Sequence, residues 1–359
     1  MSSQDNRIPV AILGATGSVG QRFIQLLADH PWFRIAELTA SERSAGKTYA
    51  EAADWYQTTT LPASVADQVV KATDPTAEPL TSPILFSALD SATAKAVEAL
   101  YARAGHFVVS NASAHRMDAD VPLMVPEVNP EHLGLLAGQD YGTGGLLTNP
   151  NCSTIGLVSA LKPLHDAFGL EAVQVTTLQA VSGAGIPGVS SMAMIDNIVP
   201  FIGNEEDKLE TEPQKILGAL TDGAVKPGRF VVSATCNRVP VVDGHTLCVS
   251  VRLDTMADLD QVADALRGFT SEAQTLGLPS APKQPIHLLD APDRPQPRLD
   301  RDRDGGMATT VGRLRKCPIL DYKFTILSHN TVRGAAGGSI LVAELALAKG
   351  VLGDLRVPA

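Results

Sequence analysis

The sequence predicts an α/β protein in which an N-terminal, doubly wound parallel sheet precedes a strand-rich second domain. Three observations carry this. Short apolar runs alternate with helical patterns over roughly the first 150 residues. The first run opens through spaced glycines into a helix. Strand-type alternation with turn signals then dominates the later text. At 359 residues the chain can bury two cores, and its 44% apolar content is that of an ordinary globular protein.

The elements follow in order. Residues 9–13 form a buried-type strand, and Gly14-Ala15-Thr16-Gly17-Ser18-Val19-Gly20 turns into a helix with Val19, Phe23, Leu26 and Leu27 on one face. Glycines permit a sharp turn and close approach to a pyrophosphate, for which the helix N-terminus supplies donors. The spacing is GxxGxxG instead of GxGxxG, within the strand–turn–helix context of a Rossmann-type dinucleotide site. A second strand covers 34–39. Its end, with Ser41, Arg43 and Ser44, suits a 2′-phosphate and hence NADP, whereas Glu37 or Glu42 would serve the competing NAD reading. Residues 51–83 read as loops around one short element. Strand 84–89, a helix from Asp90-Ser91, and strand 106–110 complete four strands whose ligand-binding edge carries Ser87 and Asn111 to Arg116. Arg116 is there an anion clamp or a surface residue.

An apolar run at 145–147 enters Thr148-Asn149-Pro150-Asn151-Cys152-Ser153, and a helical pattern starts beside Ser153. A cysteine in a helix's first turn has its thiolate favoured by the dipole, and the neighbouring N–H groups could hold an oxyanion. The bland alternative is a buried structural cysteine. Beyond it lie a strand at 172–181, a glycine-rich turn at 182–188, and an apolar stretch at 190–203 fit for core or subunit interface. For a charged run at 204–215 the bland reading, taken alone, is a solvated helix face. Strands at 230–233, 237–246 and 247–253 surround a turn at Asp243-Gly244. Residues 282–304, rich in proline, read as a long loop, exposed or against a partner subunit, and a last helix opens at 330–334.

A net charge of −10 argues against non-specific nucleic-acid binding. No apolar run reaches the about 18 residues that suggest a membrane span. The stretch Met1 to Arg7 lacks a signal-peptide core, so a cytoplasmic location is expected. The four cysteines, Cys152, Cys236, Cys248 and Cys317, form no CxxC pair, so neither a disulfide framework nor a metal site is indicated. A helix-start cysteine plus a nicotinamide fold points to acyl-thioester chemistry with hydride transfer, which needs a base. Eight histidines compete for that role, and spacing alone does not choose among them.

The motifs GATGSVGQ (14–21), SNASAHRM (110–117), NPNCSTIGL (149–157), LQAVSGAG (178–185), ETEPQKILG (210–218), NRVPVVDGHT (237–246) and SHNTVRGAAGGSI (328–340) resemble the aspartate-semialdehyde dehydrogenase family, in its archaeal and fungal-type branch. The resemblance implies an NADP-binding Rossmann-type domain at 1–150, completed by a C-terminal helix at 330–359. It implies a second α+β domain at 151–329, with a mixed sheet, for catalysis and dimerisation. The implied reaction is reversible, NADPH-dependent reductive dephosphorylation of aspartyl-4-phosphate to aspartate-4-semialdehyde, in lysine, threonine and methionine biosynthesis, by a homodimer or homotetramer. Carried over, Cys152 would attack and hold the thioester. His245 would be general acid/base near its ordinary pKa, and Gln179 would orient the intermediate. Arg238 would take the substrate carboxylate and Glu212 its ammonium, Arg116 and Lys215 the phosphate, with Asn151 beside the nucleophile. Gly14, Thr16, Gly17, Ser18 and Val19 would meet the pyrophosphate, and Ser41, Arg43 and Ser44 the 2′-phosphate. Ser87, Gly183 and Asn330 complete the cofactor site, the last two near the nicotinamide.

Two enzymes compete with this reading. Malonyl-coenzyme A reductase would keep Cys152 and His245 but leave Glu212 without an ammonium. N-acetyl-glutamyl-phosphate reductase typically has Gly where this chain has Asn151. A non-catalytic NADP-binding regulator would have no use for Cys152, Gln179, Arg238 and His245 together.

Overall fold

The computed structural model describes residues 6–358. Residues 1–5, part of the stretch read for a leader, and Ala359 lie outside the described residues. The chain divides into two compact units. Met1–Pro122, Leu133–Asn149 and Ser339–Ala359 form the first, and Leu123–His132 with Pro150–Gly338 the second.

In the first unit, β1 (Ile8–Leu13), β2 (Phe33–Ala40), β3 (Lys71–Ala72), β4 (Ile84–Ser87), β5 (Phe107–Ser110) and β6 (Gly145–Thr148) form one sheet in the order β3-β2-β1-β4-β5-β6. All five pairings are parallel. The strands are short apolar runs because helices cover both faces of such a sheet, and Ala11, Leu13, Leu85, Val108 and Leu146 are fully buried in its core. The strand order reverses between β1 and β4, which places a ligand crevice at their carboxyl ends. The helix Ser91–Arg103 starts where expected because the Asp90 side chain accepts from the Ala92 and Thr93 N–H groups. Residues 51–83 hold more than one short element. Besides β3 there is a helix at Ala63–Ala66, and another at Tyr49–Ala52 enters the segment. Such one-turn pieces carry too little periodicity to read from sequence.

The second unit is built on a mixed sheet, ordered β10-β7-β11-β14-β13-β12. Its strands are β7 (Ala172–Gln179), β10 (Val231–Arg238), β11 (His245–Arg252), β12 (Ile286–Leu289), β13 (Thr309–Lys316) and β14 (Tyr322–Ser328), while β8 (Ala219–Thr221) and β9 (Ala224–Lys226) form a separate hairpin. One face buries Val173, Val175, Leu247, Val249 and Ile326 against the helix Cys152–Phe168, whose Leu157, Val158 and Leu161 are fully buried.

Two expectations are corrected here. The Asp243-Gly244 turn does not join paired strands, because β7 inserts between β10 and β11, parallel to the first and antiparallel to the second. The proline-rich 282–304 segment is not simply a loop. Its prolines at 285 and 292 flank β12, an edge strand with a single partner, β13, so no ladder bond is lost to them. After it, buried Asp300 accepts from Arg294 and Arg303 and from the Gln296 backbone N–H. Those bonds hold Asp300 down at about 2, against the opposing pull of burial.

Candidate active site

Three strands deliver side chains to one end of the second sheet. Because β7 and β10 run parallel in the register Arg238↔Gln179, both residues sit side by side at strand ends. Antiparallel β11 begins where β7 finishes, so His245 arrives at the same edge. The turn between Val181 and Ala184 closes over them. A Cβ on Gly183 would come within 2.8 Å of Arg238 Nη1 and 3.2 Å of His245 Cε1, so only glycine fits there. Asn330 fastens the approach to β11, its Oδ1 accepting from the Gly244 N–H and its Nδ2 donating to Ser182 Oγ, both at 2.8 Å.

Cys152 is the first residue of its helix, as expected, and Asn151 is the N-cap. Asn151 Oδ1 accepts from the N–H groups of Ser153 and Thr154 at 2.9 and 3.3 Å. The cap contributes about 1 kcal/mol to the helix. It also occupies two of the donors that the sequence offered for an oxyanion, so that part of the expectation is corrected. Gly334, in a π turn at Val332–Ala336, lies against the nucleophile. A Cβ there would stand 2.8 Å from Cys152 Cβ. Cys236, by contrast, is a core thiol that burial pushes up to about 11, out of reactive range.

Cys152 Sγ lies 3.1 Å from His245 Nε2. At Nδ1, His245 accepts from the Ala180 N–H at 3.0 Å. A ring nitrogen that accepts carries no proton, so the neutral ring bears its hydrogen on Nε2, pointed at the sulfur. The histidine is fully buried. Burial, then the charge of Arg238, pushes it down to about 3. The expectation of an untuned histidine near neutral pKa is therefore corrected, because a buried cation beside Arg238 has no solvent to support it. Arg238 is itself buried and donates through Nη1 to the Ala180 carbonyl at 2.8 Å.

The charged run is not the solvated face of its bland reading, and it buries the two residues, Glu212 and Lys215, that the resemblance assigned to substrate. Residues 205–216 form one helix, and Glu205, Leu209, Glu212 and Ile216 share a buried face with Lys215. The Glu212 carboxylate accepts from the Asn151 backbone N–H at 2.8 Å. Glu205, which sequence reasoning missed, accepts from Asn151 Nδ2 through both oxygens and from Gln179 Nε2. Its signal was present as an i, i+4, i+7, i+11 stripe in which two of four positions are acidic. The apolar stretch before this helix is not core: Met192, Ile195, Ile198 and Phe201 are exposed, and Phe201 reaches 68%.

In the first unit a cavity of about 960 Å³ opens at the carboxyl ends of β1, β2 and β4, lined by Gly14, Thr16, Gly17, Ser41, Glu42 and Arg43 among others. Gly14 has φ +74°, and a Cβ there would meet the Ala88 carbonyl oxygen at 2.9 Å. Gly17 caps the helix Ser18–Leu27 without a side-chain bond, so Ser18 and Val19 begin a helix whose N-terminus can face an anion. Glu37 is not a ribose ligand. Its buried carboxylate accepts from the Ser82 hydroxyl and Lys71, and it is held at about 2 despite burial. Ser44 lies outside the lining, and Ser87 is fully buried, so Ala88 and Leu89 form that part of the wall. Arg116 is buried, not superficial, and donates to the Asn111 carbonyl at 2.6 Å. A dinucleotide phosphate fits this donor set of glycine backbone, uncapped helix end and Arg43.

Two family models match the chain: "Semialdehyde dehydrogenase, NAD binding domain" over residues 9–136 and "Semialdehyde dehydrogenase, dimerisation domain" over 161–333. The protein is 54% identical over 343 residues to an aspartate-semialdehyde dehydrogenase of Methanothermobacter thermautotrophicus, spanning 94% of this chain and 98% of that one. It is 51% identical to that of Candida albicans, spanning 95% and 98%. Among solved structures, the Candida albicans aspartate semialdehyde dehydrogenase with NADP superposes with a TM-score of 0.90 at 48% identity, covering 96% of this chain and 99% of that one. A Vibrio cholerae aspartate semialdehyde dehydrogenase II complexed with ASA gives 0.74 at 29%, covering 96% and 98%.

Proposed function

The chain belongs to the aspartate-semialdehyde dehydrogenase family, and on that premise we propose the reaction and the residues that perform it. It is an NADP-dependent oxidoreductase that reductively dephosphorylates L-aspartyl-4-phosphate to L-aspartate-4-semialdehyde in lysine, threonine and methionine biosynthesis. The observation that carries the chemistry is Cys152 Sγ at 3.1 Å from a histidine Nε2 that bears its proton.

Cys152 attacks the acyl carbon as a thiolate, phosphate leaves, and a thioester forms on sulfur. The bound cofactor supplies the hydride that reduces this acyl carbon. Collapse of the resulting thiohemiacetal returns the sulfur as thiolate. His245 need not exchange a proton to serve both steps. Its Nε2–H donates to the sulfur before attack and again as the sulfur leaves. Arg238 takes the substrate's α-carboxylate. Glu212, whose carboxylate accepts from the Asn151 N–H, takes the ammonium, and Lys215 takes phosphate. We place the reaction in the cytoplasm. Among the described residues no helix is long and apolar enough to cross a membrane.

A phosphate-dependent assay with L-aspartate-4-semialdehyde, read by reduced-cofactor absorbance, tests the function. Turnover without a phosphate requirement, or none at all, would reject it. In that assay Arg43→Ala is expected to lower kcat/KM with NADP about tenfold relative to NAD, equal to about 1.4 kcal/mol of a charge-assisted contact. An unchanged cofactor ratio would remove Arg43 from the 2′-phosphate site. The protein assembles through its dimerisation domain as a dimer or tetramer, with the exposed Met192, Ile195, Ile198 and Phe201 in the contact. Phe201→Asp is expected to shift sedimentation towards monomer, and wild-type association would exclude this stretch.

A further inference from the structure

We propose that Glu205 is a positioning residue that fixes the amide orientation of both Asn151 and Gln179, so that Gln179 meets the acyl-enzyme only as a hydrogen-bond acceptor. The inference rests on the thioester reading above and assigns a role to a residue which that reading left out.

The geometry allows one arrangement. Asn151 Oδ1 is committed to the Ser153 and Thr154 N–H groups, so its Nδ2 must face away from the helix. It finds both Glu205 oxygens, at 3.0 and 2.9 Å. Gln179 Nε2 donates to Glu205 Oε2 at 3.2 Å and to Thr177 Oγ1 at 3.3 Å. Both N–H bonds of that amide are then engaged, and Oε1 is the end left for a ligand. A carboxylate accepts only, so it forces this choice at both amides at once. A neutral amide at position 205 would present a donor to two donors.

Glu205 is 8% exposed, and a buried carboxylate persists only when paired. Lys208 supplies the pair, with Nζ 2.9 Å from Oε1. The other ionisable groups that feel its charge are Arg238 and Cys236 on β10 and His245 on β11. Burial would raise the Glu205 pKa, but Lys208, Asn151 and Gln179 together hold it below the usual value. Lys208 is the more accessible partner, with a quarter of its side chain in solvent.

Glu205→Gln in the full-length enzyme is expected to lower kcat about tenfold to a hundredfold, as a misdirected catalytic amide does, while melting temperature and NADP affinity hold. In a Gln179→Ala background the same exchange is expected to cost less than about a third of that factor, because part of its route is already gone. Lys208→Met, an exchange near the surface, leaves the carboxylate in place but removes its cation. The acid limb of kcat is then expected to move to higher pH. Wild-type kcat in Glu205→Gln, strictly multiplicative losses in the double variant, or an unshifted acid limb in Lys208→Met would overturn the proposal. Wild-type turnover in the same assay separates this failure from a failure of the assigned reaction.

Discussion

Cys152→Ala is expected to lower turnover by at least about 10³-fold, since loss of a covalent nucleophile leaves only binding and electrostatic assistance. No other thiol stands in for it. Cys236 is buried with its pKa pushed up to about 11, and Cys248 is an exposed strand residue on β11. Cys317, whose thiol is pulled down by the Leu320 and Ile319 N–H groups, lies beside Ser250, at the opposite end of β11 from His245. The loss can be assigned to chemistry because the fold hardly uses this side chain. The helix is capped by Asn151, whose bonds to Ser153 and Thr154 do not involve Sγ, and alanine suits a helix's first turn. Melting temperature and NADP binding should therefore stay close to wild type. Mass spectrometry after mixing with substrate should show an acyl adduct in the wild type and none in the variant. Residual turnover above about one per cent with no adduct in either protein would end the thioester mechanism.

How far the sequence reached depends on where the information lay. Strands β1, β2, β4 and β5 were legible because a sheet covered on both faces needs unbroken apolar runs. Cys152 was legible because a strand, a turn and a helix start are written in adjacent residues, whereas the capping by Asn151 came only from the fold. How the strands around the Asp243-Gly244 turn pair was not legible, for the opposite reason. Nothing within 230–253 reveals that β7, some 50 residues earlier, lies between β10 and β11. β12 hid among prolines that flank it without breaking its ladder. The charged run from 204 to 215 looked solvated because charge outweighs pattern in a local count. Yet Leu209 and Ile216 mark a buried face that carries Glu205 and Glu212 inward with them. The Ala180 N–H could not be read at all, since every residue but proline has one and only the fold decides which ring nitrogen it meets.

That N–H governs the second large effect. With Nδ1 occupied by a donor, His245 can gain a proton only by losing the Ala180 bond and placing a fully buried cation beside Arg238. The acid limb of kcat/KM is therefore expected to lack an inflection between pH 6 and 7 due to this histidine, where an ordinary imidazole titrates at about 6.5. His245→Ala is expected to lose at least about a hundredfold in kcat, the low end for removing a positioned proton-bearing group. His245→Gln, whose Nε2–H can still point at the sulfur, should recover a measurable part of that loss. Stability carries the same signature. Below about pH 6.5 the unfolded chain binds a proton at this histidine, while the folded protein does not until near pH 3. The contribution to unfolding free energy is thus fully present above about 6.5 and falls through that window by at most about 1.4 kcal/mol per pH unit. Carboxylates such as Asp300, held near 2, add their own loss only below about pH 4. A pH titration of melting temperature on wild type and His245→Gln isolates the histidine's share between 4 and 6.5. If the two curves run parallel there, and an inflection near 6.5 in kcat/KM vanishes in the variant, His245 titrates in the folded enzyme and acts as a base after all.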